Sequence, residues 1–527
     1  MLTFHKKWGD HSFKLLGGQE YGTSENESTG INVIGLKPGY HVINLAQNIG
    51  SVYGYSTGIK NGNILGDEYT SVLFSGFGEM GYSYKDKYYA SASVRTDAST
   101  NFGPDKRYAT FYSGGASWIV SKENFLRGNA IVNEWKLRAN YGTSGSQNGN
   151  NFFTQTLYNP GYTYGGQSAA VVASLGNPSI GWETTRSLGI GTDFSLFHDR
   201  VSGNIDYYNR LSLNLIQKVP LTGALGFPGQ YQNSGNVLNR GWEGMLSTVN
   251  IRSRDFRWTT DFNITFNHNK LLKAVGDSLD ISTQGYYIQE GEDVNSVKAV
   301  KEVGVDPTSG NPLYQKLIFD AKGHVTGSTN VQSIGEVLAE GNDRQYQNIG
   351  SLQPKYFGGI TNTFTYKQLS LSILLYFQGG NILFNQYRFD FQMNSVADYN
   401  QIAYIKGQSL WTTPGQKNAT EPSLYAQANG DWWNPLNAHF YDNGTYLRIR
   451  NVRLSYNLTG AFLKKAGISQ AQIYASGDNL FAVTHKGFLG SDPSGEYAAD
   501  AFQQDTGSVG FGLGAPRKYL FGLNITF

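Results

Sequence analysis

The last ten residues, Lys518 to Phe527, read K-Y-L-F-G-L-N-I-T-F, and no other stretch restricts the fold as much. Tyr519, Phe521, Leu523, Ile525 and Phe527 fall on one face of an extended strand, while Gly522, Asn524 and Thr526 fall on the other. One face suits lipid and the other suits water. Alternation in one segment is weak evidence, so its weight depends on whether the rest of the chain repeats it.

The composition points the same way. Gly 65, Tyr 35 and Phe 30 are high for 527 residues, and charged residues make up only 16%. Long alternating strands need aromatic and β-branched residues on one face, small polar ones on the other, and Gly-rich turns between them. The mean hydropathy of −0.39 averages a polar interior and polar loops with an apolar exterior. No run approaches the roughly 18 to 20 apolar residues of a membrane-spanning helix. A chain of this kind that crosses a membrane does so as a closed barrel. The absence of cysteine excludes disulfides, thiolate metal sites and a cysteine nucleophile. A net charge of +2, with no basic tract interleaved with aromatics, argues against a nucleic-acid partner.

Candidate strands recur along the chain, and their connections come in two sizes. Tight turns are expected at Trp8-Gly9-Asp10, Lys85-Asp86-Lys87, His198-Asp199-Arg200, Ser253-Arg254-Asp255 and Lys367-Gln368. Long polar connections run from Ser24 to Tyr69, Gly145 to Gly181, Lys273 to Tyr346 and Arg388 to Gly444. Short turns on one side and long loops on the other are the pattern of an outer-membrane barrel, with the short turns in the periplasm. Within strands, Val72, Phe74, Met80, Tyr82 and Tyr84 share a face, as do Trp258, Phe262, Ile264 and Phe266. Arg95, Asp97, Arg257 and Asp261 fall on the opposite, inward face. In Leu447 to Leu458 the phase slips at Asn451, and a β-bulge there restores it. The reading yields about fifteen strands, near 1–7, 11–23, 70–84, 88–98, 108–120, 134–143, 183–197, 201–217, 236–252, 256–270, 350–366, 369–385, 446–458, 470–485 and 518–527.

A chain ending on the aromatic residue of such a strand resembles bacterial outer-membrane β-barrels, which implies that Phe527 is the signal read by the barrel assembly machinery. Longer motifs narrow the resemblance. They are S-A-S-V-R-T-D-A-S-T-N-F-G-P-D-K-R-Y (Ser91 to Tyr108), W-K-L-R-A-N-Y-G-T-S-G-S-Q (Trp135 to Gln147) and G-N-P-S-I-G-W-E-T-T (Gly176 to Thr185). To these add I-D-Y-Y-N-R (Ile205 to Arg210), P-K-Y-F-G-G-I-T-N-T-F (Pro354 to Phe364), Y-L-R-I-R-N-V-R-L-S-Y (Tyr446 to Tyr456) and the closing segment. With these motifs in order, the chain resembles the C-terminal barrel portion of the SusC/RagA-type TonB-dependent outer-membrane transporters of the Bacteroidetes. Ala98 stands where that family usually has Gly.

The resemblance implies an all-β, antiparallel transmembrane β-barrel. It implies that residues 1–527 supply about fifteen of twenty-two strands, with the plug domain and signal peptide absent. It further implies TonB-dependent uptake of a nutrient, an oligosaccharide or glycan above all, with a SusD-like surface lipoprotein as lid. Energy would come from TonB–ExbB–ExbD through the N-terminal plug. No enzymatic activity and no cofactor are expected. The stretch F-D-A-K-G-H-V-T-G (Phe319 to Gly327) has too few carboxylates for a calcium cage, so no metal is expected there.

Aromatic faces stack on sugar rings at low entropic cost, so candidate ligand contacts are aromatic clusters in long loops. Trp411, Trp432, Trp433 and Tyr441 form one cluster, and Tyr158, Tyr162 and Tyr164 another. The blander alternative is that these rings pack their own loop or the lid. The inward charges Arg95, Asp97, Arg257, Asp261, Arg448 and Arg450 read most simply as solvated lumen residues. His5 and His11, split by a turn, read as surface groups. Gly510, Gly512 and Gly514 precede a strand rather than a helix, so nucleotide binding is not indicated. Competing functions are a truncated, nonfunctional barrel fragment, an importer of peptides or metal chelates, a diffusion porin, and a soluble sugar-binding β-protein.

Overall fold

A strand whose side chains alternate between lipid and water must pair on both edges, because unpaired backbone groups in hydrocarbon cost several kcal/mol each. In the computed structural model every strand of the main sheet follows that demand except the first and the last, which pair on one edge only. The structure describes residues 1–31, 33–34, 48–49, 64–147, 153–227, 229–275, 278–280, 287–339, 343–391, 408–427, 434, 436–460, 463, 465–490, 492–494, 508–509 and 514–527. Fifteen strands pair in chain order into one antiparallel sheet. They are β1 (Leu2–Trp8), β2 (His11–Ile31), β3 (Ile64–Tyr84), β4 (Tyr88–Ser99), β5 (Tyr108–Ile119), β6 (Val132–Ser146), β7 (Glu183–Leu196) and β8 (Val201–Pro220). The rest are β9 (Gly229–Arg252), β10 (Phe256–Lys273), β11 (Tyr356–Tyr366), β12 (Leu369–Gly379), β13 (Tyr446–Leu458), β14 (Gln470–Thr484) and β15 (Lys518–Thr526).

All fifteen expected strands are present, and their ends differ where the long connections have structure of their own. The segments expected as 350–366 and 369–385 are each shorter in the sheet. Gln347–Ser351 pairs instead with Ser296–Ala299, and Ile382–Asn385 with Tyr441–Asn443. Gly380, at φ 83, breaks the strand between β12 and Ile382. Strand β9 begins at Gly229 rather than 236, and β2 runs on to Ile31. The register slips between Ile449 and Asn451, so Leu447 and Ile449 share the outward face with Val452, Leu454 and Tyr456. The bulge read from the sequence is there.

The two kinds of connection separate to the two ends of the sheet. At the short end, Gly9 (φ 53), Lys85 and Asp86 (φ 52 and 47), and Lys367 (φ 54) turn the chain in the left-handed region. That end also carries an aromatic girdle. Trp8 stacks on His11 at 5.7 Å, His11 lies 4.8 Å from Tyr84, and Tyr84, Tyr88 and Trp118 continue the row. His11 is therefore not a solvated surface group as expected; its Nδ1 is also 2.7 Å from the Tyr82 hydroxyl.

Outward positions carry exposed Val94 (50%), Ile190 (51%), Trp242 (55%) and Phe521 (80%). An apolar face continuing from strand to strand is stable against lipid and not against water, which removes the soluble sugar-binding reading. Because the sheet gives its apolar face to the bilayer, the largest buried core lies elsewhere. Val300, Tyr314, Ile334, Val337, Phe384, Phe389 and Phe440 form it within the long connections.

Candidate functional site

The connection 274–355, between β10 and β11, and the connection 380–445, between β12 and β13, fold together at the long-loop end. The shared core draws Val300, Tyr314, Ile334 and Val337 from the first and Phe384, Phe389 and Phe440 from the second. The backbone amide of Val300 donates to the Leu436 carbonyl at 2.7 Å, and the Ala438 amide returns a bond to Val300 at 3.0 Å.

Beside this core, His439 stands between two carboxylates: Nδ1 is 3.5 Å from Glu302 and Nε2 is 3.3 Å from Glu421. Little of the three side chains reaches solvent, with exposures of 11% for His439, 8% for Glu302 and 3% for Glu421. Burial disfavours the charged imidazolium, but the two carboxylates override it and His439 is pushed up to about 9. Glu302 also accepts from Asn437 Nδ2 at 2.9 Å, and Glu421 from Gln408 Nε2 at 2.8 Å. His439 therefore bridges the two connections as a cation.

A third connection is tied to the same unit. Arg388 donates to Asp442 at 3.0 Å and to the Gly487 carbonyl at 3.0 Å, while Asn385 bonds Asp442 and the Leu489 carbonyl, each at 2.5 Å. On β13, Arg448 is only 2% exposed and its guanidinium holds Asp492, which also accepts the amides of Ser494 and Ala515 at 2.9 Å. Burial works against the Asp492 carboxylate, but Arg448 and these amides hold it below the usual aspartate range. The reading of Arg448 as a solvated lumen charge is thus corrected: it is a buried anchor for the β14–β15 connection.

Two of the quoted motifs meet in a separate clasp. Phe102 from the β4–β5 connection lies 4.8 Å from the Trp182 ring, and Trp182 Nε1 donates to the Arg107 carbonyl at 2.8 Å. The Gly103 amide donates to the Ile180 carbonyl at 3.1 Å, and Asn233 on β9 brackets Gly181 from both sides. Below, on the inner face, Arg95 pairs with Glu20 at 2.8 Å and Asp97 at 2.6 Å, and Arg138 with Asp193 at 3.1 Å and Asp206 at 2.6 Å. Arg95 and Asp97 are thus paired lumen charges rather than free solvated ones.

The candidate aromatic contacts divide. Tyr158, Tyr162 and Tyr164 are exposed at 64%, 51% and 85% on a hairpin of Leu157–Tyr164 with Gln167–Ser174, turned by Gly165 and Gly166 at φ 57 and 78. Trp411 lies against Gly310 of the neighbouring connection, where a Cβ would come within 2.4 Å of the indole, and its Nε1 donates to the Pro307 carbonyl at 2.9 Å. Tyr441 meets Phe384 edge to face at 5.3 Å, against the loop core. Trp432, Trp433, Gly510 and Gly512 lie outside the described residues. Asp320, in the carboxylate-poor stretch Phe319 to Gly327, accepts the amides of Lys322 and His324 at 2.9 and 2.8 Å and so closes its own turn. Sequence reasoning passed over Glu302, Glu421 and His439, because Glu302 sits on one connection and Glu421 and His439 on another, with no spacing pattern to link them.

The sequence model described as TonB dependent receptor-like, beta-barrel matches residues 3–480. TonB-dependent receptor P3 of Formosa agariphila is 29% identical over all of this chain and 52% of its own length. TonB-dependent receptor SusC of Bacteroides thetaiotaomicron is 27% identical over 82% of this chain and 42% of its own length. Among solved structures, the RagAB peptide transporter superposes with a TM-score of 0.80 at 21% identity, over 100% of this chain and 54% of that one. That last likeness is one of fold. The chain spans about half the length of the curated relatives it matches.

Proposed function

The chain belongs to the TonB-dependent receptor-like β-barrel family of the outer membrane, and from that premise we propose that it forms the barrel wall and outward loops of an active importer of oligosaccharides. Coupling to TonB–ExbB–ExbD runs through a plug domain, and a SusD-like lipoprotein covers the long-loop end as a lid. Assembly of the barrel reads Phe527 at the end of β15. The relative SusC supports the family type, and this chain shares its fold with the RagAB peptide transporter.

The observation that carries the sugar reading is the tyrosine hairpin. Three exposed rings on one hairpin at the long-loop end offer flat apolar faces with polar tips, which suits sugar rings that are apolar on one face and hydroxylated at the rim. Trp411 holds the β10–β11 and β12–β13 connections together at Gly310, and Tyr441 packs against the core they share. Peptide import is the second reading, since a peptide backbone also lies well across tyrosine rings.

The test is growth of a host carrying the full-length gene as its sole uptake system, fed either oligosaccharides or peptides, with and without TonB. TonB-dependent growth on an oligosaccharide, lost or slowed at least tenfold at limiting concentration in the Y158A/Y162A/Y164A variant, supports the reading. Growth on peptides alone overturns the substrate, and TonB-independent growth overturns the mechanism.

A further inference from the structure

The outward face of β7 to β10 carries a feature that cargo uptake does not use. Arg240 on β9 and His268 on β10 are direct cross-strand partners, followed toward the short-turn end by Trp242 with Phe266, Gly244 with Ile264 and Leu246 with Phe262. Side chains of directly opposed residues share a face, so these four pairs form a ladder on the lipid side. Arg240, His268, Trp242 and Phe266 are exposed on it. The stretch from Trp258 to Phe266 rises roughly 20 Å across the membrane, at about 3.4 Å per residue and about 40° of tilt. That nearly fills the apolar band of an outer-membrane barrel, about 25 Å tall, and puts Arg240 and His268 at the head-group level of the outer leaflet.

The surface there is concave in two adjoining recesses. One, of about 440 Å³, is bordered by Arg240, His268, Tyr207, Trp242 and Phe266. The next, of about 320 Å³, shares Trp242 and Phe266 and continues over Ile205, Gly244 and Ile264. Gly244 forms its floor, and the nearest side-chain atom to a Cβ there is Ile264 Cγ2 at 3.7 Å. The charge is one-sided. Glu183, Asp193, Asp206, Glu243 and Asp261, the carboxylates of these four strands, all fall on the inward register, while Arg186 and Lys270 add cations one row above Arg240 and His268.

We propose that this ladder is a binding site for a phosphorylated acyl lipid of the outer leaflet, with the phosphate on Arg240 and His268 and one acyl chain in the recess over Gly244. A guanidinium binds phosphate in a bidentate fork, and the aromatic row beneath marks the boundary where a lipid changes from polar to apolar. The charge pattern is what selects this occupant, since a purely apolar partner would leave the cations facing hydrocarbon.

Native mass spectrometry of the full-length protein extracted from outer membranes in mild detergent tests the site, with diphosphorylated lipid A, dephosphorylated lipid A and diacylglycerol as added probes. The expected result is a retained one-to-one complex with diphosphorylated lipid A. Retention should fall at least fivefold for R240A/H268A and for Gly244→Leu, which fills the recess without touching the charges, and be unchanged for R257A on the inward face. Circular dichroism and heat-modifiable gel migration establish that each variant is folded. Equal retention of the dephosphorylated probe, or undiminished retention by both variants, overturns the proposal. A protein dimer that W242A dissolves would also overturn it, by assigning the face to a second copy of this chain.

Discussion

A Cβ placed on Gly103 would lie 1.6 Å from the carbonyl oxygen of Pro178, so the β4–β5 and β6–β7 connections touch backbone to backbone at this point. Both residues belong to motifs quoted from the sequence, and their contact explains why glycine and the N-P-S-I-G-W run occur together. With the Gly103 amide bonded to Ile180 and Trp182 bonded to Arg107, the two segments make one clasp.

Gly103→Ala should therefore open the clasp. The backbone must shift to admit the methyl group, at a cost of roughly 1–3 kcal/mol. Hydrogen exchange at the Gly103 and Gly181 amides should accelerate, while Gly22→Ala, where nothing lies within 4 Å of the new Cβ, leaves exchange unchanged. Equal protection in both variants would contradict the contact.

The loop unit around His439 should loosen at alkaline pH. Its folded pKa of about 9 stands above the ordinary 6.5, so the stabilisation is fully present below about 6.5 and is lost as pH rises through 9. The size is on the order of 3 kcal/mol for the buried imidazolium. Limited proteolysis of the 274–355 and 380–445 connections between pH 6 and pH 10 should show cleavage rising toward the upper end, and H439Q should remove that dependence.

Arg448→Gln should release the Asp492 anchor. Breaking a buried ion pair by removing one partner costs roughly 3–5 kcal/mol, because the remaining charge is left uncompensated. Faster exchange at the Ser494 and Ala515 amides, both bonded to Asp492, is the readout. In the wild type the Asp492 contribution is present above the ordinary aspartate pKa of 3.8 and disappears as pH falls through its lower folded value.

The two faces of β4 should respond differently to charge. Val94→Arg puts a cation into the apolar band and should cost about 2–4 kcal/mol in bilayer refolding, whereas Ser91→Arg points inward and should change stability by less than about 0.5 kcal/mol. Similar losses in both variants would mean that the assignment of faces is wrong.

Much of the fold was legible because it is written in near neighbours. Val72 to Tyr84, Trp258 to Phe266 and Tyr519 to Phe527 each carry the period of two that assigns faces, and Gly9, Asp86 and Lys367 mark the turns that join them. Even the bulge at Asn451 shows as a break in phase. Strand ends were less legible where β11 and β12 give way to Gln347–Ser351 and Ile382–Asn385, since a pairing partner inside a loop has no signature in the strand it ends.

By itself the sequence determined which residues form strands, which faces meet lipid and which side carries the long loops, because alternation and turn chemistry are local. Only the tertiary structure decided that Glu302 and Glu421 share His439, that Trp411 lies on Gly310, that Phe102 meets Trp182, and that Arg240 stands beside His268 above an apolar recess. Each of these joins residues from different connections or strands. Such contacts arise from register and loop closure over long separations, and no short-range pattern encodes them.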